Sequence, residues 1–296
     1  MTTSRGRIVL IMGMHRSGTS MLARLLAAEG LPLGVTLLNR GRRDNVHGYW
    51  EQAEIVHIHE ALLDGFDRTW HGPNGRRALP EGWLASGDTH MAKRRLMAIV
   101  KREITEADGL WGFKDPRTLC FLPLWREIIA ELSLDPVFIL AARAPAAVAA
   151  SLMRRNRLRR DSAEAMWAAN TITVLGQVGD ELAAVIDYDD WFTRPDAIAG
   201  HLREVLGLPR ARAPGLVPPI AALIDPNLRH HQGALGGARP AFEALHAALV
   251  SAAPQAPRQQ DLATAIRAAK SALNDACPYD YRIQSPFTAV SLLGDQ

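Results

Sequence analysis

The chain has 296 residues, of which 48% are hydrophobic and 22% charged, and its net charge is +3. A domain of this length can fold without disulfides or a structural metal, and the near balance of 34 basic and 31 acidic residues excludes a general polyanion binder. Only two cysteines are present, Cys120 and Cys277, which excludes a disulfide scaffold and a four-cysteine zinc site. No apolar run reaches the ~18 residues of a membrane span. Together with the two cysteines, this leads us to expect a protein of the reducing cytoplasm.

The first predicted element is a buried strand over residues 7–12, a short apolar run that stops at Gly13. A glycine-bounded turn follows, and then residues 21–29 have the composition of a helix. A strand, a turn and a helix in this order open a βα unit. Two further helices are predicted over residues 51–63 and 89–107, the second with an N-cap at Thr89.

Strands and helices continue to alternate, which predicts an α/β protein with a parallel, doubly wound sheet flanked by helices. Basic side chains (Arg16, Lys114, Arg117 and Arg143) lie at or just after the ends of predicted strands, the edge where ligands bind in such sheets. The proline-rich residues 209–257 are predicted to be loop-rich. The remaining strands are predicted over residues 110–113, 136–142 and 183–187, and the remaining helices over 119–132, 145–153, 164–178, 195–206 and 261–274.

The turn after the first strand has the spacing of a phosphate-binding loop, with Gly13 and Gly18 followed by Thr19 and Ser20. In such a turn, backbone N–H groups point into a concavity and the helix N-terminus adds a positive field. A nucleoside-triphosphate loop has lysine directly after the second glycine, whereas here the cation is Arg16, inside the loop. No clear apolar strand ends in a lone aspartate that would hold Mg²⁺. These departures favour an anion with fewer charges than a triphosphate.

The segment 13–20 resembles the 5′-phosphosulfate loop of sulfotransferases that use 3′-phosphoadenosine 5′-phosphosulfate (PAPS), in the variant with Arg before Ser-Gly-Thr that carbohydrate, tyrosyl-protein and many bacterial members carry. Arg143 and Ser151 are similar to the family's 3′-phosphate site, and residues 113–117 to its Lys-Asp-Pro segment. Residues 186–208 resemble its Tyr-Glu-Asp-Leu segment and closing Leu-Gly turn.

The resemblance covers residues 7–208, and it implies a P-loop-like sulfotransferase fold. We therefore expect a single sulfotransferase domain over residues 1–296, in which residues 209–296 form a loop-rich and helical C-terminal extension. The Gly-rich, Lys-containing segment that clamps the nucleotide in cytosolic members is missing, and residues 228–231, with Arg229, are the candidate substitute.

The resemblance also implies PAPS as the donor co-substrate, with no metal required. Arg16 and the loop backbone would hold the 5′-phosphate and the bridging oxygen, and Lys114 would neutralise charge on the leaving oxygen and the sulfuryl group. Arg143 would form a bidentate pair with the 3′-phosphate, to which Ser151 would donate a hydrogen bond. The implied donor-binding residues are Gly13, His15, Arg16, Ser17, Gly18, Thr19, Ser20, Arg143, Ser151, Tyr188 and Arg229.

The acceptor hydroxyl needs a general base, which the family supplies as a His or a Glu shortly after the first helix. The candidates here are Glu51 and His47. Glu51 follows Tyr49 and Trp50, which would desolvate its carboxylate. Glu51 can equally be interpreted as a carboxylate at the start of the helix over residues 51–63, stabilised by the helix dipole without any role in chemistry.

Other polar groups have simpler interpretations. His57 and His59 would diverge by ~200° on a helix, so they cannot share a metal, and we predict no metal site. The arginine run over residues 154–160 is typical of a solvated helix face, close enough to Ser151 to reach a nucleotide. Nucleic-acid binding is not expected, because no interleaved aromatic residues accompany the run.

The hypothesis that unites these features is an enzyme that transfers a sulfuryl group in line from PAPS to a hydroxyl, with general-base assistance. The loop variant, together with Tyr49 and Trp50, which can stack on a sugar face, favours a carbohydrate or glycosylated small molecule as acceptor. Two alternatives remain: a P-loop nucleotide-dependent kinase, which would lack its loop lysine, and a non-catalytic nucleotide-binding module. The sequence carries no motif for the oligomeric state.

Overall fold

A computed structural model describes residues 5–38, 48–69, 79–208, 220–226 and 237–276. Their centre is a parallel four-stranded sheet in the order β2-β1-β3-β4. The predicted α/β class is therefore confirmed, and each strand agrees with its prediction to within one residue at either end. The strands are β1 (Arg7–Met12), β2 (Leu110–Lys114), β3 (Asp135–Ala142) and β4 (Leu182–Asp187).

Both faces of the sheet are covered, because alternate residues of β1 enter two separate cores. Ile8 and Leu10 belong to one core, while Val9 and Ile11 belong to the other. All four strands are fully or mostly buried, as parallel sheets between helical layers are. The central strand β1 pairs with β2 on one side and with β3 on the other, so the chain order reverses at its carboxyl end. A crevice for ligands is expected at that point.

The helices agree with the predicted order but differ at several ends. The third helix begins after Ser86, whose hydroxyl accepts from Thr89 N–H, so Ser86 is the cap rather than Thr89. A short 3-10 helix over Pro116–Cys120 precedes the fourth helix and delays its start. The bounds are α1 (Thr19–Ala28), α2 (Ala53–Gly65), α3 (Gly87–Glu106), α4 (Leu122–Glu131), α5 (Pro145–Asn156), α6 (Arg160–Val178), α7 (Asp190–Thr193), α8 (Pro195–Leu206), α9 (Ile220–Leu223), α10 (Pro240–Val250) and α11 (Gln259–Ala276).

The loop prediction for residues 209–257 is wrong for Ile220–Leu223, which form α9, and for Pro240–Val250, which form α10. Pro240 occupies the first turn, where a missing N–H breaks no helical hydrogen bond. Phe242, Leu245 and Leu249 recur at helical spacing and are buried. The helix therefore packs into the core although prolines surround it. None of the helices in the described part of the chain combines the length and the apolar character that a membrane crossing requires.

Candidate functional site

The turn between β1 and α1 lies at the carboxyl edge of the sheet and depends on two glycines. Gly13 has φ +138°, and a Cβ atom there would lie 2.6 Å from the carbonyl oxygen of Ala141 in the neighbouring strand. Gly18 has φ +87° and precedes the first residue of α1. Between them Arg16 also adopts a positive φ of 74°, which is uncommon for a residue with a side chain. The tight turn thus brings the N-terminus of α1 to the edge of the sheet, as an anion-binding loop requires.

Arg16 lies next to the two residues expected to bind a 3′-phosphate. Its Nε donates to Ser151 Oγ on α5 at 2.8 Å, and its carbonyl oxygen accepts from Arg143 Nη1 at 3.1 Å. Arg143 follows β3 directly and is buried, as is Ser151. Residues more than 120 positions apart in the chain are therefore in direct contact at the loop.

Tyr188, which follows β4, supports the Arg143 side chain. The Arg143 guanidinium carbon lies 4.0 Å from the centre of the Tyr188 ring, a cation–π contact. The same ring packs against Gly18, where a Cβ atom would come within 2.5 Å of it. Burial lowers the pKa of Arg143, an effect that the nearby Asp187 and Asp189 oppose. An arginine stays charged despite such a shift, so Arg143 provides a buried positive charge beside the loop.

Lys114, the last residue of β2, connects the loop to the segment before α2. Its Nζ donates to Glu51 Oε1 at 2.5 Å, to the Tyr49 carbonyl oxygen at 3.1 Å and to Ser20 Oγ at 3.3 Å. An ammonium group has three hydrogens, so these acceptors use all of them. The intervening Trp50 has φ +57°, and this reversal turns both the Tyr49 carbonyl and the Glu51 side chain toward Lys114.

Glu51 is buried between two cations, with 5% of the residue exposed. One carboxylate oxygen accepts from Lys114, and the other lies 3.3 Å from Arg117 Nη1. The interpretation of Glu51 as a helix-start carboxylate is wrong, because α2 begins at Ala53 and its N-cap is Gln52, whose side chain accepts from a backbone N–H of the first turn. Glu51 faces charged partners, not only the apolar surroundings expected from the aromatic pair before it.

Sequence reasoning missed the group of buried residues that holds Arg117. Asp115 Oδ1 accepts from Arg117 Nη1 at 2.7 Å, and Asp115 Oδ2 lies 2.7 Å from His59 Nδ1. The Trp125 indole can only donate, and it donates to His59 Nε2 at 3.0 Å. The His59 ring proton therefore sits on Nδ1 and is donated to Asp115. The only signal in the sequence was the position of Arg117, three residues after Lys114.

The charges in this group are mutually stabilising. Burial raises the pKa of Asp115, but the Arg117 charge and the His59 hydrogen bond outweigh burial and hold that pKa below its usual value. Burial lowers the pKa of Arg117, while Asp115 and Glu51 outweigh it and raise the pKa. Asp115 and Arg117 therefore stay ionised across the physiological range.

No family model and no curated protein match this sequence. Several solved structures are similar to it, and two of them are sulfotransferase domains. The one from the Synechococcus PCC 7002 olefin synthase is 19% identical over 92% of this chain and 97% of its own, with a TM-score of 0.45. The one from the curacin biosynthetic pathway is 16% identical over 92% of this chain and 99% of its own, also with a TM-score of 0.45.

Two of the expected site residues, His47 and Arg229, lie outside the described residues. His15, Ser17 and Thr19 are buried in the loop, as its tight course requires. Among the described residues, no group of three or more histidines, cysteines and carboxylates is placed to hold a metal ion. The site thus combines a turn with the geometry of an anion-binding loop, several buried cations and the Glu51 carboxylate between two of them. This set is suited to binding an anion and accepting a proton beside it.

Proposed function

We propose that this chain is a PAPS-dependent sulfotransferase that moves a sulfuryl group to the hydroxyl of an acceptor. The observation that carries the proposal is the convergence of the segments that resemble the family at one edge of the sheet. Arg16 contacts Ser151 and Arg143, and Lys114 contacts Ser20 of the same loop. These contacts join segments that are far apart in the chain, as a common ligand site requires.

The donor would be bound by the loop and by Arg143. Backbone N–H groups of residues 18–20 and the Arg16 side chain would hold the 5′-phosphate, because they lie at the N-terminus of α1. The Ser17 N–H already donates to the Met14 carbonyl oxygen. Arg143 and Ser151 would bind the 3′-phosphate, and the face of the Tyr188 ring would hold the Arg143 guanidinium in place. This arrangement uses no metal, since arginine side chains and backbone donors provide the positive charge.

In the transfer step, the acceptor oxygen would form a bond to sulfur while the bond from sulfur to the phosphate oxygen breaks. The electron pair of the broken bond leaves with adenosine 3′,5′-bisphosphate, and Lys114 would neutralise the charge that develops there. The proton of the acceptor hydroxyl would pass to Glu51. The buried ion pair between Glu51 and Lys114 supports these roles, because it holds a base and a cation side by side.

We further propose that the acceptor is a carbohydrate or glycosylated small molecule. Tyr49 and Trp50 directly precede Glu51 and are half-buried, with Trp50 packed against the core that contains Val9 and Ile11. Aromatic rings in such a position can pack on a sugar face.

We also propose that residues 1–296 form a single catalytic domain and that the protein works in the cytoplasm. The presence of only two cysteines is consistent with that reducing compartment.

Isothermal titration with adenosine 3′,5′-bisphosphate and with ATP, each with and without Mg²⁺, tests the donor class. Tight binding of the bisphosphate that does not depend on Mg²⁺ is expected, with ATP bound more weakly. A preference for ATP with Mg²⁺ would instead indicate a nucleotide kinase. Transfer from PAPS to a panel of free and glycosylated alcohols, followed by mass spectrometry, then tests catalysis. Bisphosphate binding with no transfer to any acceptor would indicate a non-catalytic binding module.

A further inference from the structure

Glu51 is held by two cations that belong to one short segment. Lys114 contacts Oε1 and Arg117 contacts Oε2, and both cations are buried. Two buried carboxylates, Glu51 and Asp115, balance these two cations, and Asp115 lies closer to Arg117 than Glu51 does. Charge balance therefore does not explain why Arg117 also reaches Glu51, and this second contact calls for an explanation of its own.

The three hydrogens of the Lys114 ammonium are already used by Glu51, Tyr49 and Ser20. If Lys114 neutralises charge on the transferred group, as proposed above, it must release at least one of these acceptors. Of these three hydrogen-bond partners, Glu51 is the one whose carboxylate has to turn to the hydroxyl of the sulfuryl acceptor in the same step. When Lys114 moves to the donor, Arg117 is the contact that remains on the carboxylate.

Arg117 is held independently of Lys114 and cannot follow it. Its Nη1 donates to Asp115 Oδ1 at 2.7 Å, and its Nη2 donates to Glu60 Oε1 at 2.8 Å. Asp115 is fixed in turn by His59, whose other ring nitrogen accepts from Trp125. The side chains of Asp115 and His59 are 1% and 0% exposed, so water does not compete for these hydrogen bonds.

We propose that Arg117 is a positioning residue that keeps Glu51 aimed at the acceptor hydroxyl while Lys114 engages the transferred group, and that Asp115, His59 and Trp125 hold Arg117 for this purpose. This inference rests on the proposed sulfotransferase function. Arg117 acts only through Glu51 and does not touch the substrate. Loss of the Arg117 side chain should therefore lower the rate of sulfuryl transfer without weakening the binding of the donor.

The test compares Arg117→Gln and Arg117→Lys with the control Arg126→Gln, which removes an arginine that pairs with Glu181 at the surface. Arg117→Gln should lower kcat by about 10²-fold, the effect of a misplaced catalytic group, while the affinity for adenosine 3′,5′-bisphosphate stays within about threefold of wild type. Arg117→Lys should recover at least about tenfold of the lost kcat, because it keeps the charge but not the fork. Arg126→Gln should behave like wild type.

A second readout does not depend on turnover. In protein labelled with ¹³C at glutamate side chains, the Glu51 carboxyl resonance is identified by its loss in Glu51→Gln. The wild type should keep one sharp Glu51 resonance when bisphosphate is added, whereas Arg117→Gln should show a broadened or split one. If Arg117→Gln does not fold, Trp125→Phe, which removes the indole donor together with part of a buried ring, should give a smaller loss of kcat with unchanged bisphosphate affinity, and thermal unfolding shows whether this variant is folded.

The proposal is overturned if the folded Arg117→Gln variant, or Trp125→Phe in its place, keeps wild-type kcat. It is equally overturned if kcat falls only in proportion to bisphosphate affinity, or if the Glu51 resonance of the bisphosphate complex is the same in Arg117→Gln and wild type. Failure of the wild-type protein to bind bisphosphate is a separate result, which would refute the sulfotransferase function itself.

Discussion

Lys114 Nζ lies 2.5 Å from Glu51 Oε1, although the two residues are 63 positions apart in the chain. Both side chains are almost fully buried. Taking two charges out of water is costly, and removing one partner of such a pair typically destabilises a protein by about 3–5 kcal/mol. Variants of either residue must therefore be checked for folding before their activity is interpreted.

The first prediction concerns the base. Glu51→Gln should lower sulfuryl transfer by roughly 10²–10⁴-fold, the usual contribution of a positioned general base, while bisphosphate affinity is retained. His47→Ala should cost much less. Transfer is measured with any accepted hydroxyl compound, and thermal unfolding of both variants provides the folding control. Near-wild-type transfer by Glu51→Gln together with a collapse in His47→Ala would assign the base to His47.

Arg143→Ala should weaken the binding of adenosine 3′,5′-bisphosphate by ~1.5–3 kcal/mol, which is the contribution of a charge-assisted hydrogen bond. Adenosine 5′-monophosphate, which lacks the 3′-phosphate, should bind as it does to wild type. Titration calorimetry with both ligands measures the difference, with Arg126→Ala as a matched control. Because Arg143 also donates to the Arg16 carbonyl oxygen, equal weakening of the two ligands would mean that Arg143 supports the loop and does not contact the 3′-phosphate.

Gly13→Ala should destabilise the protein by at least about 1–3 kcal/mol, because its backbone conformation is strained for other residues and its Cβ would lie 2.6 Å from a backbone oxygen. Gly176→Ala is the matched control. Gly176 lies within α6, where a Cβ atom would meet nothing within 4 Å, so alanine there should stabilise by roughly 0.5–1 kcal/mol. Urea unfolding measures both. A neutral Gly13→Ala would contradict the close approach of the loop to β3.

The dependence of stability on pH should change in Asp187→Asn. Burial raises the pKa of Asp187 from 3.8 to about 6, although hydrogen bonds from the backbone of Asp189 and Tyr188 oppose the rise. The folded protein therefore binds a proton more tightly than the unfolded chain, and this contribution to stability is lost as pH rises from about 4 to 6. The variant lacks that loss, so its free energy of unfolding relative to wild type should increase over this range.

His246 provides the opposite control, because burial lowers its pKa from 6.5 to about 4. Its Nε2 lies 3.8 Å from Asp187 Oδ1. In the wild type its contribution to stability rises with pH between about 4 and 6.5, so the free energy of unfolding of His246→Leu relative to wild type should fall over that range. Denaturant unfolding at several pH values measures both differences. If the free energy of unfolding relative to wild type did not change with pH for either variant, the burial of Asp187 and His246 would be contradicted.

The sequence by itself determined the order of the four strands, eight of the eleven helices in the described residues, and the loop between Gly13 and Ser20. Buried parallel strands are short continuous apolar runs that can be recognised in the sequence. The run over Arg7–Met12 is followed by Gly13, and the run over Asp135–Ala142 is followed by Arg143. The carboxyl ends of parallel strands meet at one edge, so the proximity of Arg16, Lys114 and Arg143 could also be expected.

Only the tertiary structure decided what those side chains contact. Three of the contacts of Glu51 and Asp115 join residues 56 to 66 positions apart in the chain. They form because α2 packs against the 3-10 helix over Pro116–Cys120 that follows β2. The residues around His59 in the sequence give no signal of its role, because that role depends on two distant partners. One ring nitrogen accepts from Trp125, and the other donates to Asp115. Local spacing encodes the period of a helix or strand, whereas the pairing of buried charges depends on how whole elements pack together, which no short segment specifies.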